Sequence, residues 1–316
     1  MKFAAAILAF ATFFTACSSG AAPTETPEEM VSQAFKNAYN IKSMTYNSTV
    51  EGVVKDSAGT SFKEAEFEGT LSGVMNATDP ASLKISFKVD GSGKMDDNEK
   101  QYVSAEIRMT KEALYAFISK LPDFGEQAPK EMLAMFMNKW WQIPLPEETA
   151  SQFMLPGVDD ANMTPQQKQV KELLEKTNFL KDLKYEGTEK VNGDNTYQYS
   201  GKLDTEAVKN FAIEAGKIQG QEPTAEELKQ MEEMLQKLNV DVELWIGQED
   251  KLIKKSAGVL TMAPSETGSL EVKFESVIDK INEDVVMEIP EEATLFDPMQ
   301  FLGVPPPTTT LPGEVQ

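Results

Sequence analysis

No histidine occurs anywhere in the chain, and cysteine occurs once. Without imidazole there is no Ser-His-Asp or Cys-His nucleophilic machinery, no proton shuttle of that type and no His-ligated metal site. A single cysteine can close no internal disulfide and build no Cys-rich zinc site. Basic residues are also scarce: 30 Lys and Arg stand against 51 Asp and Glu, a formal charge of −21. A field of that sign repels phosphate backbones and anionic lipid surfaces, which argues against nucleic acid as a partner. Carboxylates are the one abundant reactive group, but no motif singles out a pair of them. The acidic runs Glu226-Glu227, Glu232-Glu233 and Glu291-Glu292 read as solvated faces, with no EF-hand loop among them. An enzyme is thus unsupported rather than excluded. A carboxylate-based hydrolase, ranked last, would need two acids with perturbed environments facing a cleft. The chain is read as a non-enzyme without metal or cofactor.

Long hydrophobic runs are missing as well. The longest apolar stretch, Phe3 to Ala16, falls short of the ~20 helical residues that span a ~30 Å hydrocarbon core. It follows a short basic start, Met1-Lys2, and ends at small residues, the layout of a secretory signal over 1–16. Phe14-Thr15-Ala16-Cys17 resembles the lipobox of bacterial lipoproteins, with Phe14 where that family usually carries Leu. The resemblance implies that the Cys17 thiol is diacylated and becomes the mature N-terminus. Two acyl chains would then hold the protein on a membrane, where one binds only marginally. The body would be extracytoplasmic at the bacterial cell membrane. Residues 17–27 (Cys17, then SSGAAPTETP) read as a flexible tether, and 304–316 (VPPPTTTLPGEVQ) as a disordered Pro/Thr tail.

Between these ends, 28–303 carries two kinds of periodicity. Met30, Val31, Ala34, Phe35 and Ala38 form the stripe of an amphipathic helix after the start signal Thr26-Pro27-Glu28-Glu29. From about Ser43 to Ile118 the period becomes two. Phe67, Leu71, Leu83, Ile85, Phe87, Val103 and Ile107 alternate with polar neighbours, and the turn chemistry of Asp79-Pro80 and Asp90-Gly91-Ser92-Gly93 intervenes, which predicts an antiparallel meander. Pro129 to Trp141 is apolar on nearly all sides and reads first as a buried helix. Helical spacing returns over Gln166 to Asn178. Asn192-Gly193-Asp194 then marks a hairpin between 185–191 and 195–203. Asp204 caps one helix, and a capping box at Thr224 opens another. Strands are predicted around 240–246, 251–262 and 270–274, and last over Val285 to Ile289. Short turns favour antiparallel pairing, so the class is α+β.

Several segments together resemble the LolA-like superfamily, which includes the LolA carriers and the LppX/LprG lipid-carrier lipoproteins. They are Ala38-Tyr39-Asn40-Ile41-Lys42-Ser43, Lys139-Trp140-Trp141, the Gly187 to Tyr199 hairpin, Val242-Glu243-Leu244-Trp245-Ile246 and Val286-Met287-Glu288-Ile289-Pro290. The resemblance implies a strongly curved antiparallel sheet, an unclosed half-barrel with helices packed on its concave face. A hollow between the layers would accept a lipid or another hydrophobic ligand, and no catalytic residues come with it. Within that reading, the thioether-rich run around Met132 and Met135, with Phe136, is the candidate ligand-adaptable lid, since methionine repacks cheaply. Trp140, Trp141 and Trp245 are candidates for the cavity mouth or a membrane interface, with core packing the commoner fate of such residues. The protein is read as a monomer, bound to the membrane through its lipid anchor. The competing class is an envelope scaffold or protein-interaction lipoprotein without a small-molecule ligand.

Overall fold

The computed structural model describes residues 22–56, 63–78, 83–123, 130–145, 163–265 and 268–296. The segment expected to be a signal, 1–16, with Cys17 and the 304–316 tail, lies outside these residues. The helices are α1 (Pro27–Ala38), α2 (Lys130–Phe136), α3 (Pro165–Lys176), α4 (Thr205–Ile218) and α5 (Ala225–Lys237). Helix α1 begins at a capping box: the Thr26 hydroxyl accepts the Glu29 amide, and the Glu29 carboxylate accepts the Thr26 amide. Thr164 and Thr224 repeat the device at α3 and α5, and Asp204 accepts the Glu206 and Ala207 amides at α4. Each cap satisfies amides that a helix start leaves without an internal partner.

One sheet contains every strand among the described residues. Its first group is β1 (Ser43–Lys55), β2 (Glu64–Asn76), β3 (Lys84–Met95), β4 (Gln101–Thr110), β5 (Ala113–Lys120) and β6 (Trp140–Pro144). The second is β7 (Leu180–Val191), β8 (Asp194–Leu203), β9 (Leu238–Gly247), β10 (Ile253–Ser265) and β11 (Gly268–Asp279), followed by the short β12 (Thr294–Leu295). The order is β12-β6-β5-β4-β3-β2-β1-β11-β10-β9-β8-β7. Two antiparallel meanders thus meet in the middle, where β1 pairs with β11 and Val50 stands opposite Phe274. The two outer strands do not pair with each other, so the sheet is not closed. A two-residue turn with Asn192 and Gly193 both at positive φ (50° and 94°) joins β7 to β8, the geometry that matches hairpin twist.

Three expectations need correction. The sheet is mixed rather than purely antiparallel, because β12 lies parallel to β6 with Thr294 opposite Trp141. Val285 to Ile289 forms no strand. Its alternation is real, with Val285 and Met287 buried and Val286 77% exposed, but side chains rather than a ladder take its carbonyls. Asn76 Nδ2 donates to Val285 O, and an Arg108 guanidinium nitrogen donates to Glu288 O. The run from Pro129 to Trp141 is not one buried helix: α2 spans seven residues, Met135 is 54% exposed, and the chain turns into β6 at Trp140.

The main core lies at the β7–β9 end. Met30, Val31 and Ala34 of α1 pack on Leu180, Leu183, Tyr199, Leu244 and Ile246. Burying a side chain such as Met30 or Val31 stabilises by about 1.5–3 kcal/mol. Helix α3 packs on α1 and α4, and the rings of Phe179 and Phe211 meet edge-on at 5.3 Å. No helix among the described residues is long and apolar enough to cross a membrane.

Candidate functional site

Because strand side chains alternate, the register assigns every sheet residue to one of two faces. Tyr199 and Leu244, under α1, share their face with Ser256 and Phe274, then Val50, then Leu71 and Phe67, and onward to Val89, Ile107 and Trp141. This face is mainly apolar, interrupted by the row Ser256, Ser276 and Ser48, where the Ser48 hydroxyl donates to Ser276 at 2.8 Å. Its neighbours in sequence, such as Glu51, Glu68, Asp90, Glu243 and Lys273, build a polar opposite face.

The apolar face is sealed only in part. Beneath α1 its side chains are buried, but over the central strands Val50, Phe67, Val89, Val103, Val272 and Phe274 are half-buried, and Leu71 is 37% exposed. On the same stretch Gly69 and Gly91 stand opposite each other across β2 and β3. A Cβ on Gly69 would lie 3.8 Å from Val50 Cγ1, and one on Gly91 would lie 3.4 Å from Val103 Cγ1. The paired glycines therefore leave a shallow floor rimmed by valines. Elsewhere the missing side chains are covered by aromatic rings: Phe67 lies over Gly52, and Phe274 over Gly258. Chemically this surface offers dispersion contact and water exclusion and no side-chain charge.

The candidate residues do not gather at one place. Phe136 packs against Trp141 and Phe296, with centroids at 5.7 and 6.4 Å, at the β6 edge of the apolar face. Met135 adjoins it in solvent, and nothing is described of the Met132 side chain. Trp140 points to the polar face, where it meets Phe117 at 5.3 Å and carries the Arg108 guanidinium 4.7 Å above its ring. Trp245 is also on the polar face, eight strand positions away in the sheet, and is 5% exposed. The apolar side chains that the fold does bring together in the open, Val50, Phe67, Leu71 and Phe274, were not singled out from the sequence. Their signal was the strand alternation combined with glycines inside strands.

Electrostatics divide the faces further. On the polar face the Lys100 and Ser92 hydrogen bonds hold the Glu68 carboxyl below its ordinary range, and those of Lys88 and Ser104 do the same for Asp90. On the apolar face burial raises the Tyr46 and Tyr199 phenols. Among the described residues, the Tyr199 hydroxyl is a buried polar atom with no hydrogen-bond partner. No group of three or more acidic or thiol side chains able to hold a metal ion occurs among the described residues.

No family model matches the chain, and no curated protein matches it significantly. Among solved structures, the fold is similar to the lipoprotein LppX of Mycobacterium tuberculosis at 15% identity and a TM-score of 0.34, covering 83% of this chain and 98% of that one. It is similar to LprF from Mycobacterium bovis at 10% identity and a TM-score of 0.32, covering 85% and 99%. A β-barrel-like protein of a domain of unknown function from Brucella abortus matches at 7% identity and a TM-score of 0.25, covering 76% and 99%.

Proposed function

We propose that this chain is an extracytoplasmic lipoprotein, moored through an acylated Cys17, that holds a lipid or another hydrophobic ligand against the open part of its apolar sheet face. The observation that carries the reading is the continuation of one apolar face from the buried core under α1 onto the half-buried central strands, with Leu71 37% exposed over the Gly69–Gly91 floor. An acyl chain laid there would remove apolar area from water at about 25 cal/mol per Å2, and the larger the contact the more the bare face favours it. Met135 and Phe136 stand at the β6 edge, where an unbranched thioether and a ring adapt to a varied guest. The sole cysteine, placed at the end of the signal segment, supplies the anchor.

Native mass spectrometry of the gently purified mature chain tests the ligand, with copurified lipid masses as the expected result. A Leu71→Asp variant should lose those masses while remaining folded by circular dichroism. A bare mass for the unaltered protein, persisting after incubation with lipid vesicles, overturns the ligand reading. The anchor is tested separately by metabolic palmitate labelling, which Cys17→Ser should abolish; undiminished labelling overturns it.

A further inference from the structure

The face of the sheet turned away from α1 carries a trough for which the apolar reading has no use. Two adjoining depressions, of about 590 and 330 Å3, share Glu51, Glu68, Ser92 and Lys273. Together they cross β11, β1, β2 and β3 and reach β4 at Tyr102, a span of roughly 19 Å at ~4.8 Å per strand step. The trough therefore runs across the strands and has the shape of a site for an extended chain.

Its chemistry is unusual for a solvated sheet face. Tyr102, opposite Ser92 in the register, leaves its ring 52% exposed at one end. Thr49 and Thr70 face each other across β1 and β2, both exposed, and among the described residues neither hydroxyl has a partner. The carboxylates of the larger depression are already neutralised. Glu68 takes Lys100 at 2.6 Å, Asp90 takes Lys88 at 2.8 Å, Glu275 takes Lys255 at 2.8 Å, and Glu51 takes Lys273 at 3.5 Å. Ser92 and Ser104 donate to Glu68 and Asp90 as well. A carboxylate has about four acceptor positions, so each keeps spare lone pairs in an orientation fixed by its partners.

These pairs are largely exposed and each contributes little. Each carboxylate is nonetheless matched by an ammonium group, so a basic peptide or a nucleic acid finds no net opposite charge to bind. A neutral, hydroxyl-rich chain needs none. Its hydroxyls can donate to the spare lone pairs and accept from Thr49 and Thr70. The Lys120 ammonium lies 5.7 Å from the Tyr102 ring centroid on one side, and the C–H faces of such a chain can lie on the other side, which carries partial negative charge. We infer that the trough is an oligosaccharide-binding site, with Tyr102 as the stacking platform and Glu68 and Asp90 as the positioned acceptors. The site is independent of the apolar face, since the two lie on opposite sides of one sheet.

The test is titration of the full mature chain with maltotetraose, cellotetraose and chitotetraose by calorimetry and amide NMR. At least one should bind with a Kd in the range of about 0.1–10 mM, with shifts at Thr70, Ser92 and Tyr102. Tyr102→Ala should weaken it about tenfold or more, and Thr49→Arg should fill the trough to the same end, both at an unchanged unfolding midpoint. The affinity should be the same at about 0.1 and 1 M salt, because no ion pair forms with the ligand. Leu71→Asp should leave it unaltered, which separates this site from the lipid reading. Failure of all three sugars at about 10 mM overturns the inference, as does binding indifferent to both trough variants or lost in salt.

Discussion

The Trp245 indole Nε1 donates to Glu189 Oε2 at 2.6 Å, which ties β9 to the edge strand β7 across the intervening β8. The Lys255 ammonium lies 4.6 Å from the centroid of the same ring. Trp245 is thus held on the polar face by a charge-assisted bond and by a cation, and the ring is almost wholly enclosed.

That relationship makes Glu189 the weak point of the edge strand. Removing the carboxylate strands a buried N–H, which costs about 1–3 kcal/mol. Glu189→Leu should therefore lower urea-unfolding stability by that amount. In a double-mutant cycle, Trp245→Phe added to Glu189→Leu should cost less than the sum of the two single changes. Additive costs would show that the bond contributes nothing.

Phe67 and Gly52 are similarly matched. Any Cβ at position 52 would overlap the Phe67 ring and come within 2.9 Å of Glu271 O. Gly52→Ala should destabilise by about 1–3 kcal/mol, the usual range for overpacking. Phe67→Leu in the same chain should recover part of that loss by clearing the ring, while the close carbonyl keeps the recovery incomplete. A Gly52→Ala variant as stable as the parent would show that the ring is not packed there.

These pairs also mark where sequence reading stops. The helix starts at Thr26, Asp204 and Thr224 were legible because a cap is a local arrangement of neighbouring residues. The Asn192-Gly193 hairpin was legible for the same reason, since both positions need positive φ. Strand alternation located the meander from β1 to β5 and each strand's two faces. Alternation reports one-sided burial and not a ladder partner, so Val285 to Ile289 read as a strand although side chains take its carbonyls. The parallel β12–β6 pairing joins residues some 150 positions apart, and no short pattern encodes it. The fates of Trp140 and Trp141 diverge because adjacent strand residues point to opposite faces, and only the register says which. The open stretch of apolar face depends on where the helices are placed, which is a tertiary fact.

Tyr199 tests the packing under α1. Its side chain is fully buried against Met30, Val31 and Tyr185, with a hydroxyl that has no partner among the described residues. Burial pushes the phenol well above its ordinary range. Deleting an unpaired buried hydroxyl without changing shape relieves a desolvation cost. Tyr199→Phe should then be neutral or stabilising by about 1 kcal/mol in chemical denaturation. A loss of comparable size would reveal a partner, either a bound water or a polar group of a guest.

Lys254 supplies the pH dependence. Its ammonium bridges Asp250 at 2.7 Å and Asp194 at 3.0 Å, with the side chain 12% exposed, and so pins the β7–β8 turn to the loop after β9. Burial alone would lower its pKa, but the hydrogen bonds it donates to Asp250 and Asp194 and their negative field overcome that, and the net shift is upward. A folded value above the unfolded one stabilises fully below the unfolded pKa of about 10.4 and fades as pH rises through the folded value. Lys254→Met leaves two carboxylates facing each other and should cost about 1–2 kcal/mol, the lower end because both partners are partly solvated. The difference between parent and variant should be constant from about pH 7 to 9 and shrink above about 10.4. Unfolding midpoints measured across that interval check it. A gap that persists unchanged at high pH would assign the loss to packing of the lysine stem, not to its charge.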